Sequence, residues 1–324
     1  MEQQILWHDQ KRSWITSEPI PVTNDDQTVL VQATCSMISL GTERLVISEP
    51  ILQESELPMR IPNMRGDFSD AFTYGYSLVG TVIEGPQNLK GARVHLLHPH
   101  QRYALVHPDE VFILPKGLSE HKAMLISNME TVVNACWDAQ PSIGDSILII
   151  GYGIIGTLLS QLLCKIPGVQ LTVLEIDSFR AKKASEADIK VCNSKQDLAT
   201  NFDIVFNTAA NGQALQIAVD CARPEGLIVE LSWYGARTTE VKLGGNFHSQ
   251  RKKIIASQVS TIPAVKQSVW NHRSRKQLVA KILMNLDTQE ILSKAISFNH
   301  APEFYNQLRA SPSSESGVYL TYSM

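Results

Sequence analysis

The stretch from Ser146 to Glu175 constrains this chain more than any other. Its first part, Ile147-Leu148-Ile149-Ile150, follows Gly144-Asp145 and has the length and β-branched character of a strand buried on both faces of a parallel sheet. The run breaks at Gly151-Tyr152-Gly153-Ile154-Ile155-Gly156. Ile155, Leu158, Leu159, Leu162 and Leu163 then recur at helical spacing, and Pro167-Gly168 ends the helix. A second apolar run, Val169 to Leu174, closes on Glu175.

Each part has a task if a dinucleotide binds here. Gly151 allows the tight turn out of the strand, Gly153 lets a pyrophosphate approach the backbone, and Gly156 lets the helix pack close to the sheet. Free N–H groups at Ile154 and Ile155, with the positive end of the helix dipole, face the phosphates. Glu175 follows Gly151 by about 24 residues, near the spacing at which an acid meets the adenosine ribose. Its carboxylate accepts bonds from both ribose hydroxyls and repels a 2′-phosphate, so NAD(H) is favoured over NADP(H). Arg180 moderates that preference, because a nearby arginine is how a 2′-phosphate is accommodated. An ordinary strand–turn–helix with incidental glycines is the competing reading; the second strand and the acid at its tip speak against it.

At 324 residues the chain is long enough for two domains with their own cores. Its net charge of −3 gives no reason to expect nucleic acid or an anionic membrane as a partner. No apolar run approaches the ~20 residues that span a bilayer, and Met1-Glu2-Gln3-Gln4 opens no signal-peptide pattern. Cys35, Cys136, Cys164, Cys192 and Cys221 are scattered, with no CxxC pair, so neither a disulfide framework nor a cysteine zinc site is expected. A cytoplasmic setting is the default expectation.

Residues 1 to about 115 read as β-rich, with strand candidates at 27–33, 80–83, 93–97 and 103–106 separated by Gly85-Pro86, Lys90-Gly91 and His107-Pro108-Asp109. From Ser119 a long helix leads towards the glycine-rich turn. After Glu175 short strands at 203–206 and 226–231 alternate with helices, the pattern of a doubly wound parallel sheet. Past about residue 260 come a helix (275–284), a strand near 295–297, a helix (302–309) and a last strand (317–321). The expected organisation is an α/β chain in which a dinucleotide-binding domain, 119–260, is inserted into a β-rich domain formed by 1–118 and completed by 261–324.

This arrangement resembles the medium-chain dehydrogenase/reductase superfamily, the zinc alcohol dehydrogenases and their zinc-free relatives, over nearly the whole chain. Leu40-Gly41-Thr42-Glu43 is similar to that family's Cys-Gly-Thr-Asp motif, Gly75-Tyr76-Ser77-Leu78-Val79-Gly80 to its Gly-His-Glu-x-x-Gly motif, and Gly91-Ala92-Arg93-Val94 to its Gly-Asp-x-Val turn. The resemblance implies a GroES-like catalytic domain, a Rossmann domain, an active site in the cleft between them and a homodimer formed through edge strands of the cofactor domain, for which Glu240 to Leu243 is a candidate. It also implies where zinc would bind, and there the chain departs: the ligand positions hold Leu40, Tyr76, Ser77 and, nearby, Ser127, and the four-cysteine lobe for structural zinc is missing. A zinc-free member is expected. Within the superfamily the Gly-Thr-Glu and Gly-Tyr variants are similar to bacteriochlorophyllide a dehydrogenase.

Without zinc, other groups must handle the oxygen of an alcohol or carbonyl substrate. Thr42 matches the family's relay hydroxyl, and otherwise is a turn residue. Tyr76 replaces a ligand; a neighbouring cation would lower its pKa for acid/base work, whereas the bland alternative is an aromatic plug. Glu43 is expected to pair with Arg44 or Arg65, or to cap a helix. His98 and His100 lie in a loop near the family's substrate pocket and suit proton transfer near neutral pH. Glu130 is a candidate acid/base, with a structural bond as the alternative, and Thr131 beside it is a nicotinamide-side position. Thr208, Ser232 and Trp233 follow strands that flank the same half of the cofactor. The expectation is an NAD(H)-dependent, zinc-independent oxidoreductase of alcohols and carbonyls. The rivals are a zinc-free, NADPH-dependent quinone or enoyl reductase and a catalytically silent NAD(H)-binding sensor or scaffold.

Overall fold

A computed structural model of the chain describes residues 2–23, 27–288 and 291–322. Its packing divides into two compact units: Met1–Ser127 with Ala280–Ser313 and Gly317–Met324, and Asn128–Val279 with Ser314–Ser316. These limits differ from the sequence-based 118/119 and 260/261 because both joins fall inside helices, which carry no turn signal.

The first unit begins with a hairpin, β1 (Gln3–His8) and β2 (Ser13–Glu18), paired antiparallel. Asp9 fixes its turn by accepting the N–H groups of Lys11 and Arg12, each at 2.7 Å. There follow β3 (Val29–Ile38), α1 (Leu40–Ser48), α2 (Gln53–Met59), β4 (Leu78–Glu84), β5 (Arg93–Leu96), β6 (Tyr103–Val106), β7 (Phe112–Ile113) and α3 (Glu120–Ala123). The four strands expected from sequence in this part are all present. Alternation places Val29, Val31 and Ala33 of β3 in one core with Leu78 and Val82 of β4, Val94 and Leu96 of β5, and Ala104 and Val106 of β6.

The second unit runs through α4 (Ile126–Ala139), β8 (Ser146–Ile150), α5 (Ile154–Leu163), β9 (Gln170–Leu174), α6 (Ser178–Glu186), β10 (Lys190–Cys192), β11 (Phe202–Asn207), α7 (Gly212–Cys221), β12 (Ala222–Glu230), α8 (Asn246–Ser249), β13 (Lys253–Ala256) and α9 (His272–Met284). Its six strands pair in the order β10-β9-β8-β11-β12-β13, all parallel, which is the doubly wound sheet expected. Ile147 to Ile150 are buried, as a central parallel strand requires. The helix α7 lays Ala214, Leu215 and Ala218 against Leu148, Val205 and Ile228. Burial of each large apolar side chain there contributes about 1.5–3 kcal/mol. The Glu240 to Leu243 segment is not a strand; β13, whose Ile254 and Ile255 pair with Ile228 and Val229, forms the edge instead.

The remaining elements, β14 (Lys294–Ser297), α10 (Ala301–Ala310) and β15 (Val318–Thr321), return to the first unit. There β15 pairs antiparallel with β3 and parallel with β14, giving the order β14-β15-β3-β4-β5-β7, with β6 also on β3. No helix among the described residues is long and apolar enough to cross a membrane.

Candidate cofactor and active site

The three glycines after β8 are bare for three different reasons. Gly151 adopts φ +95°, and a Cβ there would lie 2.7 Å from Thr208 Oγ1. A Cβ on Gly156 would run into the Gly151 carbonyl oxygen, so this glycine lets α5 lie against the turn. Gly153 has an ordinary φ of −72°, and a Cβ on it would meet nothing nearer than Arg180 Nη1 at 3.7 Å. Neither strain nor internal packing explains the missing side chain at Gly153. The open space lies at the N-terminus of α5, where no side chain caps the first N–H groups and where Ile154 and Ile155 are half-buried.

Glu175 follows β9 and is 5 % exposed. Its carboxylate accepts the N–H of Tyr152 at 2.7 Å, tying the strand end to the glycine turn, and the N–H of Asp177 at 2.8 Å. Each oxygen keeps a further lone pair for a ribose hydroxyl. Asp177 caps α6 through the N–H groups of Phe179 and Arg180, both at 3.0 Å, and these bonds hold its carboxyl below the usual range. Arg180 Nε stands 3.9 Å from both Glu175 Oε2 and Asp177 Oδ1, so the arginine adjoins the acid and Gly153 together. A dinucleotide fits these residues: Gly153 to Gly156 would hold its diphosphate, and Glu175 its first ribose.

On the other side of β8, Thr208 gives its hydroxyl to the carbonyls of Ile150 (2.9 Å) and Gly151 (3.2 Å), which braces the turn. Ser232 and Trp233 are half-buried in the loop after β12, and Thr131 is half-buried on α4. A cluster not read from the sequence lies at the same sheet edge. Glu230, the last residue of β12, accepts Asn207 Nδ2 at 2.7 Å, Tyr234 Oη–H at 3.0 Å and Ser232 N–H at 2.8 Å. Burial pushes its carboxyl above the usual range. The signal was available, since Glu230 ends an apolar strand as Glu175 does.

Glu130 is committed elsewhere. It is buried, with Arg275 Nε 3.2 Å from Oε1 and Lys276 Nζ 3.8 Å from Oε2. Arg275 also donates to Asn134 Oδ1 and the Val259 carbonyl, each at 2.8 Å. The geometry is that of a structural ion pair joining α4 to α9 rather than of an exposed acid/base.

In the first unit, Ser39, Thr42 and Glu43 gather around the first turn of α1. Glu43 is 1 % exposed, and its Oε1 accepts the Ser39 N–H at 2.7 Å, so the capping alternative holds. Neither expected arginine is its partner: Arg44 Nε donates to the Leu308 carbonyl at 3.0 Å and Arg65 pairs with Glu18 at 2.8 Å. Glu43 Oε2 instead receives Tyr305 Oη–H and faces His100 Nε2 at 3.1 Å. His100 Nδ1 lies 2.7 Å from Ser36 Oγ, which bonds Tyr322 Oη at 2.8 Å. The trace of this in sequence is Gly75: a Cβ there would lie 2.5 Å from His100 Nε2.

Tyr76 Oη–H donates to Ser39 Oγ and is also bonded to Thr42. Among the described residues, none of the groups that shift this phenol is a cation. Burial pushes it up to about 12, with Glu43 adding to the rise, so at neutral pH it stays protonated and can donate a hydrogen bond but not act as a base. His98 is also displaced from the neutral range. Its Nδ1 faces the Pro99 carbonyl at 3.0 Å, and burial lowers it to about 4.

The family's zinc positions do not fit a metal. Leu40 has no donor atom, Ser77 Oγ–H donates to the Met124 carbonyl at 2.7 Å, and Ser127 Oγ–H to the Tyr76 carbonyl at 2.8 Å. Among the described residues, no three of the histidines, cysteines and acids are grouped so that they would hold a metal ion.

No family model matches the chain. Over 211 residues it is 23% identical to D-guloside 3-dehydrogenase of Shigella flexneri, an alignment covering 60% of this chain. The match spans 59% of that protein, so the chain covers about three fifths of the length of its curated relative. Among solved structures, 2R,3R-butanediol dehydrogenase of Bacillus subtilis superposes with a TM-score of 0.78 at 16% identity, over 99% of both chains. A protein of Escherichia coli described as a short chain alcohol dehydrogenase, complexed with NADH, gives 0.74 at 18% identity, again over 99% of both. Other proteins of this fold are described as zinc-binding dehydrogenases, one of them bound to NADP. The fold is that of the medium-chain alcohol dehydrogenases. The expected pairing of a GroES-like unit with a Rossmann unit is thereby shown.

Proposed function

We propose that this chain is an NAD(H)-dependent oxidoreductase that interconverts an alcohol and a carbonyl by hydride transfer without zinc. One observation carries the reading: the bare Gly153 beside an uncapped helix N-terminus, with the Glu175 carboxylate one strand away. A bound nicotinamide supplies the hydride chemistry. Glu175 selects a free 2′-hydroxyl, and Arg180 moderates that choice. The preference for NAD(H) rests on this acid, since proteins of the fold bind either cofactor.

Tyr76 takes the place of the metal. Its protonated phenol turns its one O–H from Ser39 Oγ to the substrate oxygen where negative charge develops, and the bond to Thr42 orients it. Neutral His98, its Nδ1 facing the Pro99 carbonyl, keeps Nε2 to accept a hydrogen bond from a substrate hydroxyl. Hydroxyls of polyols and glycosides are the first substrates to test, given the activity of the D-guloside relative. We further propose a homodimer built on the exposed edge strand β13, and a reducing compartment in keeping with free cysteines.

The test is turnover of metal-analysed protein with NAD⁺ and NADP⁺ against alcohols, polyols and glycosides, and with the reduced cofactors against carbonyls, enones and quinones. Alcohol oxidation with NAD⁺ by protein whose metal analysis shows far less than one zinc per chain supports the proposal. Activity confined to NADPH and enones or quinones would identify the reductase alternative. Tight NADH binding with no turnover would identify a sensor, a reading favoured by the displacement of Tyr76 and His98 from the neutral range.

A further inference from the structure

The sheet order places the two halves of a dinucleotide on opposite sides of β8. Glu175 follows β9 on one side; Asn207 ends β11 and Glu230 ends β12 on the other. Neighbouring strands lie about 4.8 Å apart, so these last two ends stand roughly 5 and 10 Å from the glycine turn. A cofactor with its diphosphate at Gly153 and its first ribose at Glu175 lays its second nucleoside across the ends of β11 and β12.

At that place Glu230 gathers three neutral donors: the Ser232 N–H at 2.8 Å on Oε1, and Asn207 Nδ2 at 2.7 Å and Tyr234 Oη–H at 3.0 Å on Oε2. Asn207 is itself fixed, its Oδ1 accepting the Ala209 N–H at 3.2 Å. Tyr234 Oη also reaches the Asn211 carbonyl at 3.5 Å. Ser232 carries a buried hydroxyl that gives its proton to the Glu230 carboxylate and has no second partner among the described residues. With its proton held by Glu230, the hydroxyl keeps its lone pairs to accept from the NH₂ of a primary carboxamide.

We propose that Glu230 is the positioning residue for the nicotinamide half of the cofactor, clamping the Ser232 backbone so that the Ser232 hydroxyl bonds the ring's carboxamide. The inference rests on the dinucleotide reading above and adds residues that the glycine motif does not specify.

The experiment compares NADH with ADP-ribose, which keeps the adenosine diphosphate and second ribose but lacks the nicotinamide. Dissociation constants are measured by calorimetry for the wild type, Ser232→Ala, Glu230→Ala and Tyr234→Phe. The expected result is a tenfold or greater loss of NADH affinity in Ser232→Ala and Glu230→Ala, a smaller loss in Tyr234→Phe, and ADP-ribose affinity within about twofold of wild type throughout. A merely structural role for Glu230 would weaken both ligands alike, and that outcome overturns the proposal, as does unchanged NADH affinity. Ser232→Ala removes one oxygen and decides the matter even if Glu230→Ala fails to fold. Failure of wild type to bind ADP-ribose at all would instead overturn the dinucleotide reading itself.

Discussion

At the scale of single residues, the two candidate sites differ in how open they are to reading. Glu175 is where spacing put it, and its bond to Tyr152 N–H adds a structural task to the binding one. Tyr76 was legible as a replaced ligand, but its protonation was not, because that depends on burial and on Glu43, which lies 33 residues away in sequence and only meets it through the fold. Tyr76→Phe is expected to lower kcat by about 10²–10³-fold while leaving NADH affinity unchanged, the size of effect ordinarily lost with a positioned proton donor; steady-state kinetics and an NADH titration check this together. The buried histidines make a second prediction. Burial lowers His98 from 6.5 to about 4 and His8 well below 6.5, with His8 Nε2 lacking a partner and the charge of Arg309 adding to its shift. Both are protonated more readily in the unfolded chain. Their contribution is therefore fully present above about pH 6.5 and is lost as pH falls from there towards pH 4. For His98 alone the loss is on the order of 3 kcal/mol once pH is below about 4. Urea unfolding between pH 7 and pH 4 should show the decline, and His98→Gln should flatten it.

At the scale of elements, the strands and helices with strong periodicity were legible. Tyr103–Val106 was read to the residue, and the central parallel strand within one. The hairpin β1–β2, helix α1 and strand β13 were not, because their residues are held by long-range partners rather than by local pattern. Ser13, for example, takes Asn306 Oδ1 on its N–H at 3.0 Å. The early start of β12 at Ala222 was hidden by Pro224-Glu225-Gly226, where Glu225 has φ +60° and the pairing register shifts. The turn before α5 allows a sharp contrast. Gly156→Ala drives a methyl into the Gly151 carbonyl and must shift α5, so it is expected to destabilise the protein by about 1–3 kcal/mol as overpacked sites do. Gly153→Ala meets only Arg180 at 3.7 Å and should melt like wild type, yet bind NADH at least tenfold more weakly, about 1.4 kcal/mol. Melting curves with and without NADH separate the two. Between α4 and α9, Arg275→Met leaves Glu130 with Lys276 alone and is expected to cost about 3–5 kcal/mol, measured by denaturant unfolding.

At the scale of the whole molecule, the fold class was legible from the order of elements alone, a β-rich portion, a parallel α/β unit and a returning tail. What the sequence left open was the chemistry proposed to stand in for a metal, because Leu40, Tyr76, Ser77 and Ser127 say only that these positions differ from the zinc ligands of the motifs they resemble. The structure gives those positions hydroxyl bonds to backbone carbonyls and a phenol held by Ser39 and Thr42. The most direct test is a calorimetric titration of zinc-free protein with NADH and, separately, NADPH. The account predicts one NADH site per chain and at least tenfold weaker NADPH binding, a difference of about 1.4 kcal/mol or more. Absence of NADH binding, or tighter binding of NADPH, would contradict it.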